Sequence, residues 1–151
     1  MRILVSACLL GVSCRYDGKS KPHPAVLTLQ AQHQLIPVCG EVFGGLPTPR
    51  IPAERVGDRV LTEAGRDVTA EYRRGAEEVL ALARRLDCKA ALLKERSPSC
   101  GTGEIYDGSF TRTLTAGDGV TAELLRQHGI AVFGESRLAD LAEYLNREES
   151  P

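Results

Sequence analysis

The chain has 151 residues, a length that buries about two thirds of the unfolded surface around one core. Its 19 Lys and Arg against 20 Asp and Glu leave a net charge of −1, so no general attraction draws it to nucleic acid or to a membrane surface. No apolar run approaches the roughly 20 residues of a membrane span, and Met1-Arg2-Ile3-Leu4-Val5 meets Ser6 without a signal peptide's apolar region, so a cytoplasmic domain over 1–151 is expected.

Ile3 to Val5 is apolar on both faces and is expected as a central strand. The loop from Cys8 to Gly18 follows, with Cys8 and Cys14 spaced unlike C-x-x-C or a zinc finger. Arg15, Lys19 and Lys21 make it basic and suit it to a small anion. Pro22 to Gln34 is expected to carry a helix, with Pro24 early in it and Val26, Leu27 and Leu29 apolar. His23 and His33 are expected at the surface. Leu35 to Val38 reads as the second strand and delivers Cys39. Glycine and proline crowd the stretch from Val42 to Arg50, which predicts an ordered irregular loop or lid rather than a helix. Glu41, two residues from Cys39, is a candidate general acid or base.

Arg59 to Thr62 and Arg66 to Thr69, joined by Glu63-Ala64-Gly65, predict a small appended hairpin. A long amphipathic helix is expected from Thr69 to Leu86, its apolar positions Tyr72, Ala76, Val79, Leu80, Ala83 and Leu86 at helical spacing. Ala90 to Leu93 reads as a buried strand, and Ser97-Pro98-Ser99-Cys100-Gly101 stops regular structure behind it. Asp118 or Thr121 can cap a helix through His128, Gly129 ends it, and His128 has a structural place at its C-terminus. A last strand over Ile130 to Phe133 and a last helix over Leu138 to Leu145 complete the order, and residues 147–151 are expected to be disordered. That alternation predicts a single α/β three-layer domain with a mostly parallel sheet.

Three strand-like runs thus end in Cys8, Cys39 and Cys100. Ligands of open α/β sheets bind beyond the carboxyl ends of the strands, so three thiols there form a candidate metal or cluster site. An odd number of cysteines in a cytosolic chain argues against disulfides, and Cys88, between a helix and a strand, reads as a small buried hydrophobe. Three thiolates leave a coordination position open, on zinc or on an iron–sulfur cluster. No G-x-x-x-x-G-K-[ST] or G-x-G-x-x-G nucleotide motif is present.

Ser6-Ala7-Cys8-Leu9-Leu10-Gly11 with Cys14-Arg15-Tyr16-Asp17-Gly18, Pro37-Val38-Cys39-Gly40-Glu41 with Gly45-Leu46-Pro47-Thr48-Pro49-Arg50, and Leu93-Lys94 with Arg96-Ser97-Pro98-Ser99-Cys100-Gly101 resemble the signatures of the thiouracil desulfidase family, formerly a domain of unknown function. The resemblance spans nearly the whole chain. It implies a Rossmann-like domain with a [4Fe-4S] cluster on three cysteines and one open iron, which takes the sulfur of 2-thiouracil, 4-thiouracil or 4-thiouridine 5′-monophosphate in a non-redox desulfuration. Three of Cys8, Cys14, Cys39 and Cys100 are then ligands, and Cys8, Cys39 and Cys100 are chosen because each follows a strand. Glu41 would activate water, Ser97 would assist proton transfer or orient substrate, and Arg15 and Arg50 are candidates for a substrate phosphate. Gly40 stands where the family usually has proline. The implied partner is a small thiopyrimidine base or nucleotide, bound by a monomer or homodimer without polymeric nucleic acid or membrane. The competing reading is a non-catalytic zinc or iron–sulfur sensor module.

Overall fold

Consecutive apolar residues in Ile3-Leu4-Val5 and Ala90-Ala91-Leu92-Leu93 leave no face for water, and all seven are fully buried. The computed structural model describes residues 1–149. In chain order its strands are β1 (Arg2–Ser6), β2 (Gln34–Val38), β3 (Ala53–Val56), β4 (Arg59–Thr62), β5 (Ala90–Leu93), β6 (Glu104–Tyr106), β7 (Leu114–Ala116) and β8 (Ala131–Gly134). Its α-helices are α1 (Pro24–Leu27), α2 (Gly40–Phe43), α3 (Thr69–Arg85), α4 (Val120–Gln127) and α5 (Leu138–Glu149). The main sheet runs β2-β1-β5-β8, every pair parallel, so the two all-apolar runs are its inner strands.

Strand alternation splits the core into two layers. Leu4, Ala91 and Leu93 pack with Val79, Leu80 and Ala83 of α3 and with Ala122 and Leu125 of α4. On the other face Ile3, Val5, Ala90 and Leu92 pack with Val26 of α1 and with Leu141 and Leu145 of α5. Helices on both faces of a parallel sheet make the expected three-layer α/β fold. Among the described residues no helix is long and apolar enough to cross a membrane.

Five local expectations change. The helix expected over Pro22 to Gln34 is α-helical only over Pro24–Leu27 and then tightens into a 3-10 turn, Thr28–Ala31. Within those two segments only Val26 is buried, too narrow an apolar face to hold three turns. The stretch expected to be free of helix begins with the single turn α2. β4 takes its ladder from β3 rather than from Arg66 to Thr69, which adds one bridge, Leu61 to Asp67. Asp67 is committed to the start of α3, its Oδ1 accepting the Thr69 N–H at 2.9 Å. A second hairpin, β6 with β7, lies in a stretch from which no strand is predicted. Finally, α5 continues through Arg147, Glu148 and Glu149, so three residues expected to be disordered are helical, while 150 and 151 lie outside the described residues.

Candidate active site

The parallel order β2-β1-β5 puts three carboxyl ends side by side, and the register fixes them: Ser6 pairs with Val38, and Val5 with Leu92. Cys8 sits in the 3-10 turn that follows β1. Cys39 is the extended residue between β2 and α2. Cys100 closes the turn that follows β5, which the Ser6 hydroxyl ties back to β1 by accepting the Lys94 N–H at 2.8 Å.

These thiols gather. Cys14 is within hydrogen-bond reach of both Cys39 and Cys8, and the Cys39 thiol also points to the Cys14 carbonyl at 4.0 Å. The contact with Cys14, then burial, pushes the Cys39 thiol far above the ordinary thiol range. Contact with Cys39 pulls Cys14 down, but contact with Cys8 and burial outweigh it and leave Cys14 raised. Burial pushes Cys100 up to about 12, against hydrogen bonds from Ser6 and Ser99 that favour its thiolate, and the charges of Cys39 and Glu41 add to the rise. Cys14 is thus as much a member of the group as the three cysteines chosen from strand ends. Cys88 lies at the amino end of β5, buried in the core as expected.

The donor set is entirely sulfur, which suits soft metal chemistry and the thiolate ligation of iron–sulfur clusters. Among the described residues no three His, Cys, Asp or Glu close around a point as the ligands of a single ion do. What the residues present support is the donor chemistry: several thiols at one sheet edge match the cysteine thiolates that hold iron–sulfur clusters.

Glu41 stands in the first turn of α2. Its Oε1 accepts the hydroxyl of Tyr72 from α3, and its Oε2 accepts Arg50 Nη2 at 3.2 Å. Arg50, a candidate for a substrate phosphate, is turned inward with a side chain only 5% exposed. Its Nη2 also donates to the Cys14 carbonyl at 2.8 Å, and its Nη1 donates to Pro47 O and Thr48 Oγ1, both at 3.1 Å. It thereby joins the Cys8-to-Cys14 loop, α2 and the segment after α2. Arg15 is half-buried, 5.8 Å from the Tyr16 ring centroid and 3.9 Å from Asp17.

Ser97 Oγ accepts the N–H groups of Ser99 at 3.1 Å and Cys100 at 3.0 Å, which bends the turn that carries Cys100. The amino end of α4 docks on the same turn. Neither Asp118 nor Thr121 caps it; the Val120 N–H donates to Pro98 O at 2.8 Å and the Thr121 N–H to Ser99 O at 2.9 Å. The cysteine turn itself satisfies these free helix donors. Gly40 has a matching reason: a Cβ there would meet Ser99 Oγ at 2.5 Å and Thr121 Oγ1 at 2.6 Å. His33 and His128 are engaged elsewhere, with the chain's amino group and with Arg84, and His23 and His33 are both half-buried rather than at the surface.

Tyr72, Ser6 and Gly75 escape sequence reasoning. Tyr72 fits an apolar helix stripe, Ser6 looks like a strand end, and only Gly75, a glycine inside a strong helical pattern, carries a signal of close packing.

The profile of a family described as 2-thiouracil desulfurase matches residues 3–137. A Bacillus subtilis (strain 168) protein, the uncharacterized YbbK, is 41% identical over 149 residues, covering 92% of this chain and 99% of its own. A solved structure, the [4Fe-4S]-dependent thiouracil desulfidase TudS, is 53% identical and superposes with a TM-score of 0.92 over 96% of this chain and 97% of its own.

Proposed function

The chain belongs to the 2-thiouracil desulfurase family, and on that premise we propose that it hydrolyses the C=S bond of a thiolated pyrimidine, 2-thiouracil, 4-thiouracil or 4-thiouridine 5′-monophosphate. Water replaces sulfur on the ring carbon, the oxo base forms and sulfide leaves, with no net change of oxidation state. The observation that carries this reading is the meeting of four thiols and one carboxylate on a single sheet edge. The solved relative named for [4Fe-4S] dependence supports the same cofactor here.

Cys8, Cys39 and Cys100 would hold the [4Fe-4S] cluster by three thiolates, with one iron left open to substrate. When bound, the cluster supplies a soft Lewis acid for the substrate's sulfur. Glu41 takes the proton of the attacking water on its carboxylate. Ser97 has both acceptor sites filled by backbone N–H groups, so its hydroxyl proton is the part free to serve the substrate. Arg15 is the cation for a substrate phosphate, while Arg50 serves Glu41. The whole chain acts as one cytoplasmic desulfidase domain, a monomer or homodimer, on a small molecule.

Anaerobic reconstitution with iron and sulfide followed by a panel of thiopyrimidines tests the proposal. The expected result is a brown protein that releases one sulfide per oxo base formed. Stoichiometric zinc with no sulfide release would favour a binding module, and turnover indifferent to chelators and oxygen would favour a metal-free thiol enzyme.

A further inference from the structure

Tyr72 fills a small apolar cluster under the β3–β4 hairpin, against Val60, Val68 and Leu46. A phenylalanine would fill the same space. The difference is a hydroxyl, and that hydroxyl ends on Glu41 Oε1 in a place where the ring is 1% exposed. Buried phenol hydroxyls need a partner, and the partner here is a carboxylate that meets the thiol rim beside Cys39 and Cys100.

Glu41 itself is poorly placed to hold still. It stands on a helix of four residues, and a glutamate has several free torsions to lose on ordering. Two contacts remove that freedom: Tyr72 fixes Oε1 from α3, and Arg50 fixes Oε2 from the segment after α2. Arg50 also supplies the positive charge next to Glu41 and Cys39 that a rim of thiolates and carboxylate requires. Its Nε is buried without a protein partner.

We propose that Tyr72 and Arg50 are positioning residues for the desulfuration, together holding Glu41 by both carboxylate oxygens at the angle from which it deprotonates water. The inference rests on Glu41 being the base. Neither residue touches substrate; both act through the carboxylate.

The test is Tyr72→Phe in cluster-loaded protein. Misplacing a catalytic group by an ångström costs up to about 100-fold, so kcat is expected to fall about 10- to 100-fold with KM and iron content unchanged. In a Glu41→Asp background, where the carboxylate is withdrawn by one methylene, the same substitution is expected to change kcat less than about twofold. Equal losses in the two backgrounds, or full kcat in Tyr72→Phe, would overturn the inference. Infrared spectra of loaded protein carrying 13C-glutamate add a readout independent of turnover: the Glu41 carboxylate band, identified by its loss in Glu41→Gln, is expected to shift in Tyr72→Phe and in Arg50→Lys. An unmoved band in both variants would also overturn it. Full turnover in Glu41→Gln is a separate failure, since it would remove the base beneath the inference rather than the residues that hold it.

Discussion

Gly75 lies so close to the Gly40 carbonyl that a Cβ on Gly75 would stand 1.6 Å from the oxygen. Backbone contact between α3 and α2 is thus what carries Tyr72, on the preceding turn of α3, to the Glu41 side chain. Alanine at 75 would gain about 1 kcal/mol of helix propensity, but the overlap is with backbone and no rotamer relieves it. Overpacking costs about 1–3 kcal/mol or more, so displacement of α2 should win. Gly75→Ala is expected to lower Tm by several degrees, at about 2–4 °C per kcal/mol for a chain of this size, and to lower turnover per cluster further than the stability loss explains. A raised Tm would show that α2 yields without cost.

The same contact explains how far the sequence could be read. Strands such as Ala90-Ala91-Leu92-Leu93 announce themselves because burial on both faces forces continuous apolarity, and the order of such strands brings Cys8, Cys39 and Cys100 to one edge. The Tyr72 hydroxyl was invisible because the ring satisfies the helix stripe by itself. Arg50 is named from the sequence as a phosphate candidate, but its inward setting depends on Cys14 O, Pro47 O, Thr48 Oγ1 and Glu41 Oε2, a set of partners that no local pattern contains. The pairing of β4 with β3 depends on what Asp67 does for α3, which no local pattern around Arg59 contains.

Replacing the rim cysteines one at a time tests the ligand set. Cys8→Ser, Cys39→Ser and Cys100→Ser are each expected to lose the iron–sulfur charge-transfer band after reconstitution, while Cys14→Ser and Cys88→Ser keep it. Cys14 touches both Cys8 and Cys39, so this variant is the sharpest of the five. Loss of the band in Cys14→Ser with retention in one of the other three would exchange that residue for Cys14.

Stability of the metal-free chain should fall as pH rises. Burial pushes Cys100 up to about 12, and contact with Cys14 and burial raise Cys39 as well. Unfolded thiols titrate near about 8.5, so above that pH the folded chain holds more protons than the unfolded one and each step upward favours unfolding. The contribution is complete below about pH 8.5 and is lost towards 12 for Cys100. Cluster loading has the opposite slope, because the ligands bind as thiolates and release protons. Denaturant midpoints of the metal-free chain are expected to drop between about pH 8 and pH 10, less steeply in Cys100→Ser, while iron retention against a chelator improves. Midpoints that stay flat would mean the thiols are not held protonated by the fold.

Ser97 combines two roles that a single substitution separates. Its oxygen accepts from the Ser99 and Cys100 N–H groups, and a hydroxyl has two acceptor positions and one donor. Ser97→Ala removes the acceptor from two backbone donors, at about 1–3 kcal/mol if they stay unpaired, and removes the only proton the residue offers. Ser97→Thr preserves both functions and is expected to restore most stability and turnover. With activity expressed per reconstituted cluster, Ser97→Ala is expected to lose about 100-fold or more, the scale of a positioned proton donor. If iron content falls in Ser97→Ala while turnover per cluster stays at the wild-type value, Ser97 shapes the Cys100 turn and takes no part in proton transfer.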